Sequence, residues 1–274
     1  MKIVFTSCMD AERDPVQPVW NRIAAVKPDV LMLLGDQIYM DWGDLNEPKW
    51  LADLRAELPK QTRTLKRFAK AMHRRYARQW AVESFRSMLR GLPHGRGEDR
   101  LLVIWDDHDF AWNNSVGFDN PERPEKYKHG VPSMVKQVSR RLAVQFIHQL
   151  RHGDATSDRY PDLPEDLLTA ADEPNGLSWQ GRLGRSGPEC LLLDGRWGRT
   201  VRSGDSALEE PRPLEEAERD ALKGEPRTLE EAQRDALKAA VAREGAGLLI
   251  VASGVPLVHD YLISSQQDWR GRPE

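Results

Sequence analysis

Cysteine is nearly absent: Cys8 and Cys190 are the only two in 274 residues. Two thiols cannot build the dense disulfide framework of a small secreted domain, so the core has to come from apolar burial. Long apolar runs are missing too. None approaches the roughly 20 residues of a membrane span, and the longest, Leu248 to Leu257, is interrupted by Gly254 and Pro256. An excess of one charge is also lacking, since 40 Lys and Arg against 43 Asp and Glu leave a net charge of −3. That balance excludes a protein that coats polyanions with its whole surface. With 39% hydrophobic residues and nine Trp, the low-hydrophobicity disordered class is excluded as well. The opening Met1-Lys2-Ile3-Val4-Phe5-Thr6 reads directly as a strand. It predicts a chain without a leader peptide, and so a soluble protein of the cytoplasm.

Short apolar runs recur at Ile3–Thr6, Val30–Leu34, Leu101–Trp105, Cys190–Leu193 and Leu248–Ala252, the pattern of buried strands in an α/β sheet. Between the first two, Pro18 to Val26 predicts a helix with proline in its first turn, so the chain opens β-α-β. From Thr62 to Arg90 the residues Leu65, Phe68, Met72, Tyr76 and Trp80 recur at spacings of three and four. They predict one long amphipathic helix stopped by Gly91 and Pro93. Arg55 to Arg100 carries thirteen Lys and Arg against four Asp and Glu, a local charge of +9. Such a face is ordinarily solvated, its long side chains snorkelling over the helix surface. Leu214–Lys223 and Leu229–Lys238 are near-copies fifteen positions apart, inside a stretch of local charge −5 from Asp205 to Ala240. Two copies predict a pair of short helices, not a solenoid. The whole reads as one domain over 1–274, with helical inserts at about 45–95 and 205–244.

In an open α/β sheet the reactive groups collect beyond the carboxyl ends of the strands. Here the first strand runs into Ser7-Cys8-Met9-Asp10, the second into Gly35-Asp36-Gln37-Ile38-Tyr39, and the third into Asp106-Asp107-His108-Asp109 followed by Asn113-Asn114. Carboxylates, a thiol, a phenol and an imidazole gathered at one edge are costly without a cation to neutralise them. Each feature alone has a plainer reading: Cys8 as a small buried hydrophobe, Asp10 as a loop cap, Gly35-Asp36 as a turn. Together they point to metal. Cys190 sits in an apolar run and reads as core, and Trp42, Trp105 and Trp112 read first as packing. A cysteine-nucleophile phosphatase needs Arg six positions after the Cys, where this chain has Asp14. An aspartyl-phosphate enzyme is matched only crudely by Asp107-His108-Asp109, since Phe110-Ala111 follows without a hydroxyl.

The segments SCMD, LMLLGDQIYMD and VIWDDHDFAWNN, in that order, resemble the PhoD-like alkaline phosphatase/phosphodiesterase family of calcineurin-like metallophosphoesterases. The resemblance implies an αββα sandwich and hydrolysis of phosphate monoesters or diesters. It implies Fe3+ and Ca2+ as cofactors, with other divalent cations able to substitute. It assigns Cys8, Asp10, Asp36, Tyr39, Asp107 and either Asn113 or Asn114 to metal, with Asp36 bridging and Cys8 and Tyr39 on the iron side. His108 and Asp36 become the catalytic pair, His108 as the acid. The family's later G-D-x-H segment occurs nowhere in the sequence. The chain is therefore expected to be C-terminally truncated relative to that fold, and His259 matches no motif position. The alternative is a catalytically impaired homologue that acts as a binding or interaction domain. The lost strand would leave a sheet edge open to self-association. A phosphate-ester small molecule is the expected partner, with no specific nucleic-acid partner and no membrane.

Overall fold

The computed structural model describes residues 1–41, 47–117, 119, 130–184, 186–199, 231–242 and 248–254. Among them the chain is a mixed α/β protein with two three-stranded sheets and seven helices. The first sheet is parallel throughout: β1 (Ile3–Thr6), β2 (Val30–Leu34) and β3 (Leu101–Ile104) lie in that order. Ile3 pairs with Val30 and Leu31 with Leu101, so the three strands end together. β2 and β3 are almost wholly buried, which is why their sequences are continuous apolar runs and not alternating ones.

Helix α1 (Val19–Val26) joins β1 to β2, with Pro18 at its N-cap and Lys27 in the left-handed conformation closing its C-terminus. The single long helix expected from Thr62 to Arg90 is two helices, α3 (Lys60–Ala81) and α4 (Glu83–Arg90), following α2 (Glu47–Leu54). The break falls at Val82, whose ψ of 112° is extended. Arg86 stabilises it by donating from Nη1 to the freed Trp80 carbonyl at 3.1 Å. The turn lets α4 pack on α1, where the Phe85 and Trp20 rings lie 4.7 Å apart. On α3 the predicted face is buried, with Leu65, Phe68, Met72, Tyr76 and Trp80 all in the core. Burial of each such side chain contributes about 1.5–3 kcal/mol. Arg63, Lys66, Lys70 and Arg74 occupy its solvent face.

After the short helix α5 (Asp107–Phe110), α6 (Ser133–His152) packs against α3 through Val135, Val138, Leu142, Phe146 and Leu150. The second sheet is β4 (Trp179–Arg182), β5 (Glu189–Leu193) and β6 (Leu249–Ser253), antiparallel between the first pair and parallel between the second. β5 divides its side chains in alternation. Cys190 and Leu192 join the main core with the first sheet, whereas Leu191 and Leu193 pack with Leu237 and Ala240 of α7 (Glu231–Val241). Cys190 is thus a core residue, as its apolar run implies. The first duplicated copy, Trp42, His129, His259 and everything beyond Gly254 lie outside the described residues, so β6 ends its sheet only among those described.

The two copies differ at one position, Glu218 in the first and Gln233 in the second. Gln233 is buried and binds the Asp194 main chain from both sides. Its Oε1 accepts from the Asp194 N–H at 2.7 Å, and its Nε2 donates to the Asp194 carbonyl at 3.4 Å. A carboxylate has no donor for the second bond and would face a carbonyl lone pair. Gln233→Glu should therefore loosen α7 by about 1–3 kcal/mol, read as faster amide hydrogen exchange across Glu231–Val241; unchanged protection would contradict this docking.

Candidate metal centre

The ends of β1, β2 and β3 come close enough for chemistry because of one glycine. Gly35 has φ +96°, and a Cβ there would meet the Asp106 Cβ at 2.4 Å. Only a residue without a side chain lets the β2 end pass the β3 end at that distance. Cys8 and Asp36 are also left-handed, at φ 64° and 55°. Their strain, about 1–2 kcal/mol for an L-residue, is held by two main-chain bonds between the loops. Cys8 N–H donates to the Gly35 carbonyl at 3.2 Å and Met9 N–H to that of Asp36 at 2.7 Å.

On this frame Asp36, Asp107 and His108 present ligand atoms all within 4.8 Å of one another. Asp36 is the centre. Its Oδ2 accepts from the Cys8 thiol at 3.5 Å and the Tyr39 hydroxyl at 3.2 Å, while Oδ1 is buried with no hydrogen-bond partner. Burial raises the Asp36 carboxyl above its usual range, with Asp107 adding to the effect and the His108 charge opposing it. Burial also raises the Tyr39 phenol, and the partial burial of the otherwise exposed Cys8 raises its thiol, so both keep their protons where no cation draws them off.

Asp107 is held on both sides: Asn114 N–H donates to Oδ2 at 2.5 Å, and Arg196 Nη2 lies 3.5 Å from Oδ1. The Tyr39 and His108 rings stack obliquely, centroids 4.3 Å apart. Asp41, which the motifs do not single out, lies 3.0 Å from His108 Nδ1 through Oδ2 and also accepts from the Asn113 N–H. Burial disfavours charge on His108, yet the close Asp41 carboxylate and the charges of Asp107 and Asp36 outweigh it and raise the imidazole to about 9.

The remaining site residues fall elsewhere. Asp10 folds back on its own turn, its Oδ1 accepting from the Glu12 and Arg13 N–H groups at 2.9 and 3.2 Å. It is not among the three converging groups. Asn113 and Asn114 contribute backbone N–H groups, and their side chains are exposed. Trp105 and Trp112 are buried packing residues. Asp109 is structural: its carboxylate accepts from the N–H groups of Gln37, Ile38 and Asp106 at 2.9, 3.2 and 3.1 Å, tying the β2 end to the β3 end. With Asp106 it closes a capping box on α5, which is why the motif needs three aspartates around one histidine.

The donor set fits a cation. Two carboxylates converge beside the His108 ring, one buried oxygen is unsatisfied, and a thiol and a phenol stand next to it. Comparison with protein-family models, with curated proteins and with solved structures returns no match.

The raised His108 pKa sets a sign. Its stabilising charge is present in full below pH 6.5 and is lost as pH rises toward about 9. In cation-free protein, Asp41→Asn should bring the imidazole pKa down from about 9 toward 6.5, followed by NMR titration of the ring. A value still near 9 would show that Asp41 does not set it.

Proposed function

We propose that the protein is a metal-dependent phosphoric ester hydrolase acting on phosphate monoesters or diesters. The observation that carries this reading is the convergence of Asp36, Asp107 and His108 around a buried, unsatisfied carboxylate oxygen. The αββα sandwich is part of the same proposal. It is supported by three parallel strands ending at the site and by a second sheet set between the first and α7.

In this reading Asp36 would be a carboxylate ligand for bound cations. Cys8 and Tyr39 would hold one of them, their thiolate and phenolate suiting ferric iron, and Asp107 would provide a hard oxygen for Ca2+ or another divalent ion. When bound, the metals supply Lewis-acid stabilisation of charge on a phosphoryl oxygen and lower the pKa of water. The chain's own residues do the rest. His108 lies beside the carboxylates and would deliver a proton to the leaving oxygen. Asp41 fixes its orientation by engaging Nδ1, which leaves Nε2 for the ester. Trp105, Trp112 and Phe110, all buried around the β3 end, give the site a rigid floor.

The test uses the purified full chain, assayed for iron and calcium by elemental analysis and for hydrolysis of p-nitrophenyl phosphate and bis(p-nitrophenyl) phosphate. Metal content and turnover are expected in the wild type, with both abolished by Asp36→Ala. Metal-free, inactive protein would overturn the proposal. Bound metal without turnover would favour a non-catalytic interaction domain.

A further inference from the structure

Arg196 follows β5 and comes from the second sheet, not from the three strand ends that carry the motifs. Its side chain is only 7% exposed. Nε donates to Asp106 Oδ1 at 2.5 Å, Nη1 to the Ser115 carbonyl at 3.3 Å, and Nη2 lies 3.5 Å from Asp107 Oδ1. The main chain that carries the guanidinium is itself held in place. Asp194, fully buried, accepts from the N–H groups of Arg196 and Trp197 at 2.8 and 3.0 Å through Oδ1 and from Leu177 N–H at 2.6 Å through Oδ2. Trp197 stacks on Trp105 at 6.1 Å, and Gly117 N–H donates to the Arg196 carbonyl at 2.8 Å.

We propose that Arg196 is a positioning residue of the candidate metal centre: its planar fork pins Asp106 and orients the Asp107 carboxylate toward Asp36 and His108. This rests on the reading of that centre as a cation site. Asp107 is the one member of the trio fixed from both sheets, by Asn114 N–H on one oxygen and Arg196 on the other. Without the guanidinium, Asp106 and Asp107 are adjacent buried carboxylates that lose the cation lying against both, leaving the His108 ring beside Asp107. Asp107 would then turn away from Asp36 to separate the charges. A Lys cannot replace the function, because an ammonium is a point charge that lacks the two-pronged geometry.

The sign of the effect separates positioning from charge or simple stability. Coulomb's law alone says that removing a positive group 3.5 Å from Asp107 should tighten cation binding. Positioning says it should weaken it, by roughly the 10–100-fold known for partners that orient metal ligands. The experiment is titration of the purified full chain with Mn2+, counting free ion by electron paramagnetic resonance, for wild type, Arg196→Gln and Arg196→Lys. Circular dichroism confirms the folded fraction. The proposal expects at least tenfold weaker Mn2+ binding per folded molecule in Arg196→Gln. It expects a clear loss in Arg196→Lys too, which keeps the charge and serves if the Gln variant does not fold. Equal or tighter binding in the folded variants would overturn the role of Arg196 while leaving the metal centre standing. No binding by the wild type would overturn the metal centre itself and the role of Arg196 with it.

Discussion

Four aspartates crowd the ends of two neighbouring strands, and the mutual repulsion of Asp36, Asp106, Asp107 and Asp109 is the constraint around which this end of the molecule is built. Each is relieved differently. Asp109 accepts from three main-chain donors and so holds the β2 and β3 loops together, while complete burial and the charges of Asp36 and Asp106 push its carboxyl well above the usual range. Asp106 is matched by Arg196, although burial still raises its carboxyl to about 7 against that pairing. Asp107 is shared between Arg196 and a backbone N–H. Asp36 alone keeps an unsatisfied oxygen. A buried polar atom left without a partner costs about 1–3 kcal/mol, and a cation removes that cost.

The frame that creates the crowding also makes it rigid. Gly35 allows a backbone approach that no other residue permits, and the left-handed Cys8 and Asp36 are locked to each other across the β1 and β2 loops. Gly254, at the end of β6, makes a second close approach: a Cβ there would meet the Trp105 carbonyl at 2.8 Å. Both sheets therefore converge on the residues just after β3. The two-sheet arrangement matters for the site because Arg196, the cation that steadies Asp106 and Asp107, is supplied from the far side.

The strands of the first sheet were legible because buried parallel strands have no alternation to blur: Val30–Leu34 and Leu101–Ile104 are apolar at every position. Asp36, Asp107 and His108 were legible because acidic and imidazole groups directly after such strands are costly to bury unless something binds them. β4 was not, since its Trp-Gln-Gly-Arg sequence has one apolar residue and is held by pairing with β5. The break at Val82 was hidden because the apolar spacing continues across it into α4, and the cue, Arg86 reaching back to a main-chain carbonyl, is a tertiary contact. Arg196 escaped notice for the same reason: it belongs to no run with a recognisable spacing and reaches the site from the segment after β5. Asp41 closes the LMLLGDQIYMD segment two residues after Tyr39, but its approach to His108 is a tertiary contact that spacing does not show. Asp10 shows the converse of proximity: two positions from Cys8, its carboxylate turns back to cap its own loop, the plainer of the two readings its position offers.

The central claim is that the Asp36 cluster is a site whose unfavourable charge is relieved by a bound cation. Thermal unfolding of cation-free wild type and Asp36→Asn, each with and without saturating Mn2+, tests it directly. An amide keeps an oxygen for Cys8 and Tyr39 while placing a neutral donor where the unsatisfied oxygen was. The account predicts that Asp36→Asn, without cation, unfolds at or above the wild-type temperature. It predicts that Mn2+ raises only the wild type, by the equivalent of about 2.7 kcal/mol at a hundredfold excess over Kd. A Mn2+ effect equal in both proteins, or a wild type that Mn2+ leaves unchanged and that outlasts Asp36→Asn, would contradict it.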